Sequence, residues 1–173
     1  AKIKAKYGKF SVLGNHDYGD YVPWQDSAAK KANLDSLIDR HKQAGFKLLK
    51  NSSDSIVIDN QKIAIVGVEN WGIHPFPQYG DYDVAVENVK DIKIKILLSH
   101  DPTHWTEKII NKTDAFLTLS GHTHAMQFAF EIGNFRWSPV SLKYKNWAGL
   151  YQNQNQYLYV NIGLGFIGFP GRV

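Results

Sequence analysis

Three short stretches concentrate side chains that can hold a metal ion or move a proton. Gly14-Asn15-His16-Asp17 lies within VLGNHDYGDY, Ser99-His100-Asp101 follows an apolar run, and Gly121-His122-Thr123-His124 follows another. In each, apolar residues stop, a small residue turns the chain, and imidazole, carboxamide or carboxylate groups appear. Buried polar groups need partners, so a strand that ends in several of them is placed to present them. The chain has no cysteine, which leaves His, Asn, Asp and Glu as the available metal ligands. His122 and His124 are two apart, so on an extended segment both point one way and Thr123 the other, a chelating edge. Three of the seven histidines stand at strand ends and Asn15 adjoins a fourth, which together point to a metal site.

The elements that would position these groups can be read from periodicity. Residues 1–7 read as the end of a helix stopped by Gly8, and Lys9 to Leu13 as a short strand. A helix is expected from about Gln25 to Ala44, with Leu34, Leu37, Ile38 and His41 on one face and Gly45 ending it. Phe46 to Leu49 reads as a strand, and Ile56 to Ile58 pairs with Ile63 to Val68 across the Asp59-Asn60-Gln61 turn. Residues 69–89 read as a functional loop plus a short helix. Ile92 to Leu98 and Ala115 to Leu119 are buried strands separated by a helix near 102–111. Two further strands are expected at about 126–132 and 134–138. A hairpin of 149–152 with 157–162 is turned by Asn153 to Gln156. Strands interleaved with helices give a layered α/β class in one domain. Ligands in such folds collect beyond the carboxyl ends of the strands.

Composition narrows the function. No stretch approaches the ~20 apolar residues of a membrane span, and the opening AKIKAKYGKF lacks the apolar core of a signal peptide. The net charge of +4 comes from lysines scattered between Lys2 and Lys145, with no nucleic-acid-binding motif beside them. That pattern is a solvated basic surface, and no specific nucleic-acid partner is expected. After Lys145 the single charged side chain is Arg172.

GNHD, then LLSHDP, then GHTH, in that order, resemble the later sequence blocks of the calcineurin-like metallophosphoesterases. AGLYQNQNQYLYVNIGLGFIGFPGRV is similar to the closing hairpin of their bacterial, YkuE-like branch, where a glycine-rich turn precedes Pro-x-Arg. The resemblance covers nearly the whole chain. It implies an αββα two-sheet sandwich and two divalent ions for phosphate-ester hydrolysis. It also implies that Asn15, His100 and His122 bind the second ion and His124 the first. His16 is then the unmetallated catalytic imidazole, with Asp17 orienting it. The alternative for Asp17 is a turn residue before Gly19.

The family also uses an Asp-x-His block and a Gly-Asp-x-x-Asp block upstream of GNHD, which residues 1–13 do not supply. The expectation is therefore that residues 1–173 form the C-terminal two-thirds of one domain, incomplete at its N-terminus. Asn15, His100, His122 and His124 are neutral ligands. Two divalent ions ~4 Å apart repel by roughly 16 kcal/mol even at an effective dielectric of 20. Without a bridging carboxylate this chain is expected to hold at most one ion and to be inactive alone. The metal, Mn, Fe, Zn or Mg, is not distinguished by His/Asn ligation.

Glu69 and Asn70, at the end of the 63–68 strand, are candidates for the substrate pocket, with strand-end capping as the alternative. His74, His104, Trp71 and Trp105 are candidates for a pocket wall against a reading as packing. His41 is packing or surface, and Arg172 is a candidate phosphate contact. Two function classes follow: hydrolysis of a phosphate ester by the intact domain, or a non-catalytic metal-binding or interaction module on the same fold. Self-association, or pairing with the N-terminal segment, is expected for the chain as given. The piece itself reads as soluble, while the YkuE-like resemblance implies a membrane-associated parent.

Overall fold

The hairpin 52–61 sets one edge of the main sheet, and its turn chemistry is local. Asp59 and Asn60 both have positive φ (47° and 63°) and form the two-residue turn between strands Ser52–Ile58 (β3) and Gln61–Gly67 (β4). Asp and Asn tolerate that left-handed conformation, and two such residues match the twist of a tight hairpin. Described here is the computed structural model of the chain, covering residues 3–133, 135–166 and 171.

Before this hairpin come the short strand β1 (Phe10–Ser11), helix α1 (Ser27–Gln43) and strand β2 (Lys47–Leu48). After it come β5 (Ile94–Leu98), β6 (Leu117–Ser120), the hairpin β7 (Phe130–Ile132) with β8 (Phe135–Trp137), and the hairpin β9 (Gly149–Asn153) with β10 (Gln156–Val160). Six strands form one sheet in the order β3-β4-β5-β6-β10-β9. β4, β5, β6 and β10 run parallel, and the antiparallel hairpin partners β3 and β9 close the two edges. The class is mixed α/β, as expected.

Alternation along the strands explains which side is the core. Val66, Leu97, Thr118 and Leu158 are laterally paired and all buried. Their face packs against Tyr82, Ala85, Val86, Val89, Trp105 and Ile109. These come from the short helix α2 (Tyr82–Ala85), a 3-10 turn at Glu87–Val89 and a wide π-type turn at Trp105–Ile109. One residue later, Gly67, Leu98, Leu119, Tyr159 and Leu150 form the next row, on the opposite face. At Gly67 this face meets the parallel pair β1–β2, and a Cβ on Gly67 would lie 2.3 Å from the Leu49 Cβ. Only glycine lets the two layers approach so closely. Farther along the row Leu119, Tyr159 and Leu150 are exposed. An open apolar sheet face recruits other chains, so light scattering of this chain is expected to give a mass above that of a monomer. Leu119→Lys with Leu150→Lys is expected to return it toward the monomer.

Helix α1 begins at the Asp26 N-cap, whose carboxylate accepts from the Ala29 N–H at 2.7 Å. Leu34, Leu37, Ile38 and His41 do share its inner face but are only half-buried, and no residue of α1 is fully buried. His41 contacts the Ser11 hydroxyl at 2.9 Å and the Phe46 ring, so it is packing. The helix expected over residues 1–7 does not form among described residues 3–7, which are exposed. A helix that short, with no packed face, cannot offset the cost of nucleation. The strand expected from 126 begins only at Phe130, because His124–Gln127 is a tight turn instead. His124, Ala125, Met126 and Gln127 have φ of 50°, 51°, 44° and 60°, a run of left-handed residues without glycine. Met126 is half-exposed, and Met126→Gly is expected to raise stability by about 0.5–1 kcal/mol in a urea titration. Ala125→Gly should gain less, because its methyl is buried beside Val140 and Trp147.

Candidate metal and substrate site

The three motifs meet because the loops that carry them continue the sheet ladder. The Ser99 N–H donates to the Leu119 carbonyl at 3.1 Å, Gly121 N–H to the His100 carbonyl at 2.9 Å, and Asn161 N–H to the Ser120 carbonyl at 2.8 Å. The ends of β5, β6 and β10 therefore stay in register beyond the strands. The GNHD segment reaches them as a four-residue 3-10 turn, Asn15–Tyr18, held at its start by Gly14. A Cβ on Gly14 would lie 2.7 Å from the His100 ring, so this position has no room for a side chain.

Three donor atoms converge there. The Asn15 Oδ1 lies 3.0 Å from His100 Nε2 and 3.0 Å from His122 Nδ1, and the two nitrogens are 3.3 Å apart. Ligands about 2.1 Å from one ion and near right angles to each other are separated by about 3.0 Å, so this triangle fits a single divalent ion. Asn15 is buried, and its Nδ2 donates to the Tyr21 hydroxyl at 2.7 Å, which turns Oδ1 toward the histidines. His122 is fixed from behind: its Nε2 lies 2.8 Å from the Tyr144 hydroxyl and 3.5 Å from Asp101 Oδ2. A proton on Nε2, donated to Tyr144, leaves the Nδ1 lone pair facing the triangle. Burial, and then His122, hold His100 down at about 3. Burial, and then the Lys143 ammonium, hold His122 at about 4. Both imidazoles are therefore neutral near pH 7, the form that binds metal.

The triangle opens into a cavity of about 590 Å³. Asn15, His16, Asp17, His100, His122 and His124 all line it. The remaining wall is largely apolar and aromatic, from Tyr21, Phe76, Val140, Tyr144 and Phe166, with Lys143 as a cation at its edge. Lys143 Nζ stands 5.0 Å from the centre of the Phe76 ring.

Against curated proteins the chain is 30% identical over 176 residues to the metallophosphoesterase YkuE of Bacillus subtilis, covering 99% of this chain and 54% of that protein. It is 31% identical over 179 residues to a metallophosphoesterase of Aquifex aeolicus, covering all of this chain and 59% of the relative. A transmembrane protein with a metallophosphoesterase domain from Danio rerio is 27% identical, covering 99% of this chain and 37% of the relative. These relatives, matched over nearly all of this chain, are named metallophosphoesterases. No family model matches it. The chain spans about half the length of the bacterial relatives just described. Among its described residues no helix is long and apolar enough to cross a membrane. The family implies divalent metal ions and hydrolysis of phosphoesters.

Several sequence expectations change at the level of atoms. His122 and His124 do not share an extended edge: φ is +70° at His122, and Thr123 (φ −73°, ψ −28°) is helical, so the chain turns between them. Thr123 does face away, its hydroxyl donating to the Trp147 carbonyl at 2.7 Å. His124 lines the same cavity with its ring against the loop at Gly163 and Gly165, apart from the triangle. Among the described residues no group of three or more His, Cys, Asp or Glu side chains converges as a metal site. The convergent set is two histidines and a carboxamide.

Asp17 does not orient His16. Its Oδ2 accepts from the Gly14 N–H at 2.7 Å, closing the turn, which is the alternative raised for it above. Successive side chains in a 3-10 turn diverge by about 120°, so neighbours cannot readily pair. His16 is exposed on the cavity wall, its ring 4.5 Å from that of Tyr21. Glu69 and Asn70 are not in this cavity. Glu69 lines a separate hollow with Tyr18, Lys30 and Tyr79, and sits 3.6 Å from Lys50 Nζ. Asn70 is fully buried, with its Nδ2 donating to the Pro77 carbonyl and its main-chain carbonyl accepting from the Tyr79 and Gly80 N–H groups, so it braces the 70–80 loop. Trp71, His104 and Trp105 are buried packing. His104 contacts the Ser99 hydroxyl at 2.9 Å, and burial lowers its pKa to about 4. His74 is exposed outside the cavity, and Arg172 lies outside the described residues.

Tyr144, Lys143, Phe76 and Tyr21 escaped the sequence reading. Lys143-Tyr144-Lys145 carried a weak signal, a cationic pair around an aromatic ring just before the nearly uncharged C-terminal stretch.

Proposed function

We propose that the whole protein hydrolyses a phosphate ester with the help of divalent metal, and that this chain supplies one metal position, the acid and much of the substrate cavity. The convergence of Asn15 Oδ1, His100 Nε2 and His122 Nδ1 at 3.0–3.3 Å carries this reading. Asn15, His100 and His122 would hold one ion, and His124, which lines the same cavity, would serve a second in the intact domain. Mn, Fe, Zn or Mg, when bound, supplies Lewis-acid polarisation of the phosphoryl oxygens.

The chain's own residues then do the rest. Tyr144 keeps the proton of His122 on Nε2, so Nδ1 remains a lone-pair donor. His16, exposed to the cavity and free of Asp17, gives its proton to the departing alcohol oxygen or shares it with the phosphoryl group. Lys143 places a positive charge at the rim, where the dianion of a monoester or the anion of a diester enters. Phe76, Tyr21 and Phe166 hold the alcohol part of the substrate and keep water from it. The chain alone is proposed to take at most one ion and to be inactive, because its ligands are neutral.

The experiment is turnover of an aryl phosphate by the protein at full native length with added Mn. Hydrolysis that falls roughly a hundred- to ten-thousand-fold in His16→Ala, with metal content unchanged, is the expected result. Equal loss of metal and rate in that variant overturns the role of His16. Metal binding without any turnover would favour a second reading, a non-catalytic metal-binding module. That reading is supported by the commitment of Asp17 to Gly14 and by the absence of a carboxylate from the triangle among the described residues. Two vertebrate relatives named as transmembrane proteins support a membrane-associated parent.

A further inference from the structure

The β7–β8 hairpin is built inside out. Phe130 pairs with Trp137 and Ile132 with Phe135, while Glu131 and Arg136 pair on the other face and form an ion pair at 2.8 Å. Period-two alternation of this kind normally buries its apolar face. Here Ile132 and Phe135 are 64% and 60% exposed. The apolar surface is not confined to the hairpin. Leu142 is 86% exposed one turn after Pro139 and Val140, which line the cavity, and Phe166 lines the cavity while 62% exposed. Apolar side chains are thus exposed both at the mouth of the histidine cavity and on the hairpin.

The unpaired charges beside this surface are of one sign among the described residues. Arg136 is neutralised by Glu131, whereas Lys143 and Lys145 are exposed and form no ion pair among the described residues. A second copy of the chain would bring the same cations against them. An anionic lipid surface complements both the lysines and the apolar side chains, because interfacial binding adds buried apolar area to electrostatic attraction. We propose that the apolar rim of the cavity, with Lys143 and Lys145, docks on a lipid bilayer and brings phosphate esters carried at its surface to the histidines. The substrate class is then a phosphate ester whose alcohol part is lipid-like. This step rests on the phosphoesterase reading above, but its test does not.

The test is sedimentation of the chain with vesicles of phosphatidylcholine, alone or with one quarter phosphatidylglycerol. The chain is expected to bind both and to prefer the anionic ones. Ile132→Ser with Phe135→Ser should weaken binding to both by about tenfold or more. Lys143→Gln with Lys145→Gln should weaken binding to the anionic vesicles alone. Leu142→Ser, outside the hairpin, should weaken both and serves as the second apolar variant if the hairpin variant loses its cooperative melt. Failure of the wild-type chain to bind either vesicle, or binding unmoved by the apolar variants, overturns the proposal. So does a change of association state in Ile132→Ser/Phe135→Ser, which would show that a second copy covers the hairpin. Soluble aryl phosphate turnover by the full-length protein separates the two ideas. Turnover without vesicle binding sinks the docking surface alone, whereas vesicle binding without turnover leaves docking standing and sinks the hydrolase reading.

Discussion

Alanine at His122 is expected to weaken Mn binding to this chain by at least about a hundredfold, more than the 10- to 100-fold that loss of an outer partner costs. Calorimetric titration of the chain is the measurement. The expectation follows from the triangle: its other members, Asn15 and His100, are both neutral and cannot hold a divalent ion strongly as a pair. His100→Ala should match His122→Ala. Tyr144→Phe is a graded version, since it removes the hydroxyl 2.8 Å from His122 Nε2 and leaves the ring. It should fall within the 10- to 100-fold range, because the imidazole remains but its tautomer and orientation are no longer fixed. His16→Ala should leave the titration unchanged, as His16 is outside the triangle. Equal affinity in wild type and His122→Ala would remove the metal assignment altogether.

The meeting of distant motifs was legible because each lay at the end of an apolar run. Strand ends in a parallel sheet share one side of the molecule, so His100 and His122 could be joined without coordinates; Asn15 follows β1, of a separate two-stranded pair, and reaches them in a 3-10 turn. What pointed the wrong way was local backbone geometry. His122 and His124 appear as an i, i+2 pair only if the segment is extended, and the left-handed run from His124 to Gln127 has no glycine to announce it. Asp17 is adjacent to His16 in the chain, but a 3-10 turn separates neighbours in space and sends the carboxylate back to Gly14. Asn70 looked like a cavity residue because it ends a strand, yet the 70–80 loop folds over it and takes its Nδ2 and its main-chain carbonyl. Tyr144 and Lys143 were missed for the opposite reason. They come from a loop 22 and 21 residues after His122, and only tertiary packing brings them to it.

A buried cation that no motif announced supports the strand presenting His100. Lys95 is 1% exposed as the second residue of β5, where the pattern of an apolar strand called for a hydrophobe. Its ammonium donates to the Lys90 carbonyl at 2.9 Å, to the Ile92 carbonyl, and to Asp114 Oδ2 at 2.7 Å. Asp114 in turn accepts from the Tyr82 hydroxyl at 2.7 Å. One side chain thus ties the turn entering β5 to the loop entering β6, the two strands whose far ends carry His100 and His122. Lys95→Ala is expected to cost about 3–5 kcal/mol, since it leaves two carbonyls and a carboxylate without their shared donor. Asp114→Asn should cost only about 1 kcal/mol or less, because the Asp114 side chain is 61% exposed and water can replace it. Urea midpoints at pH 7 measure both. The contrast matters more than either value: equal losses would mean that the ion pair, rather than the capture of the Lys90 and Ile92 carbonyls, holds the entry to β5. Tyr82→Phe then separates the remaining contributions, since it removes one bond to Asp114 and leaves every Lys95 contact in place.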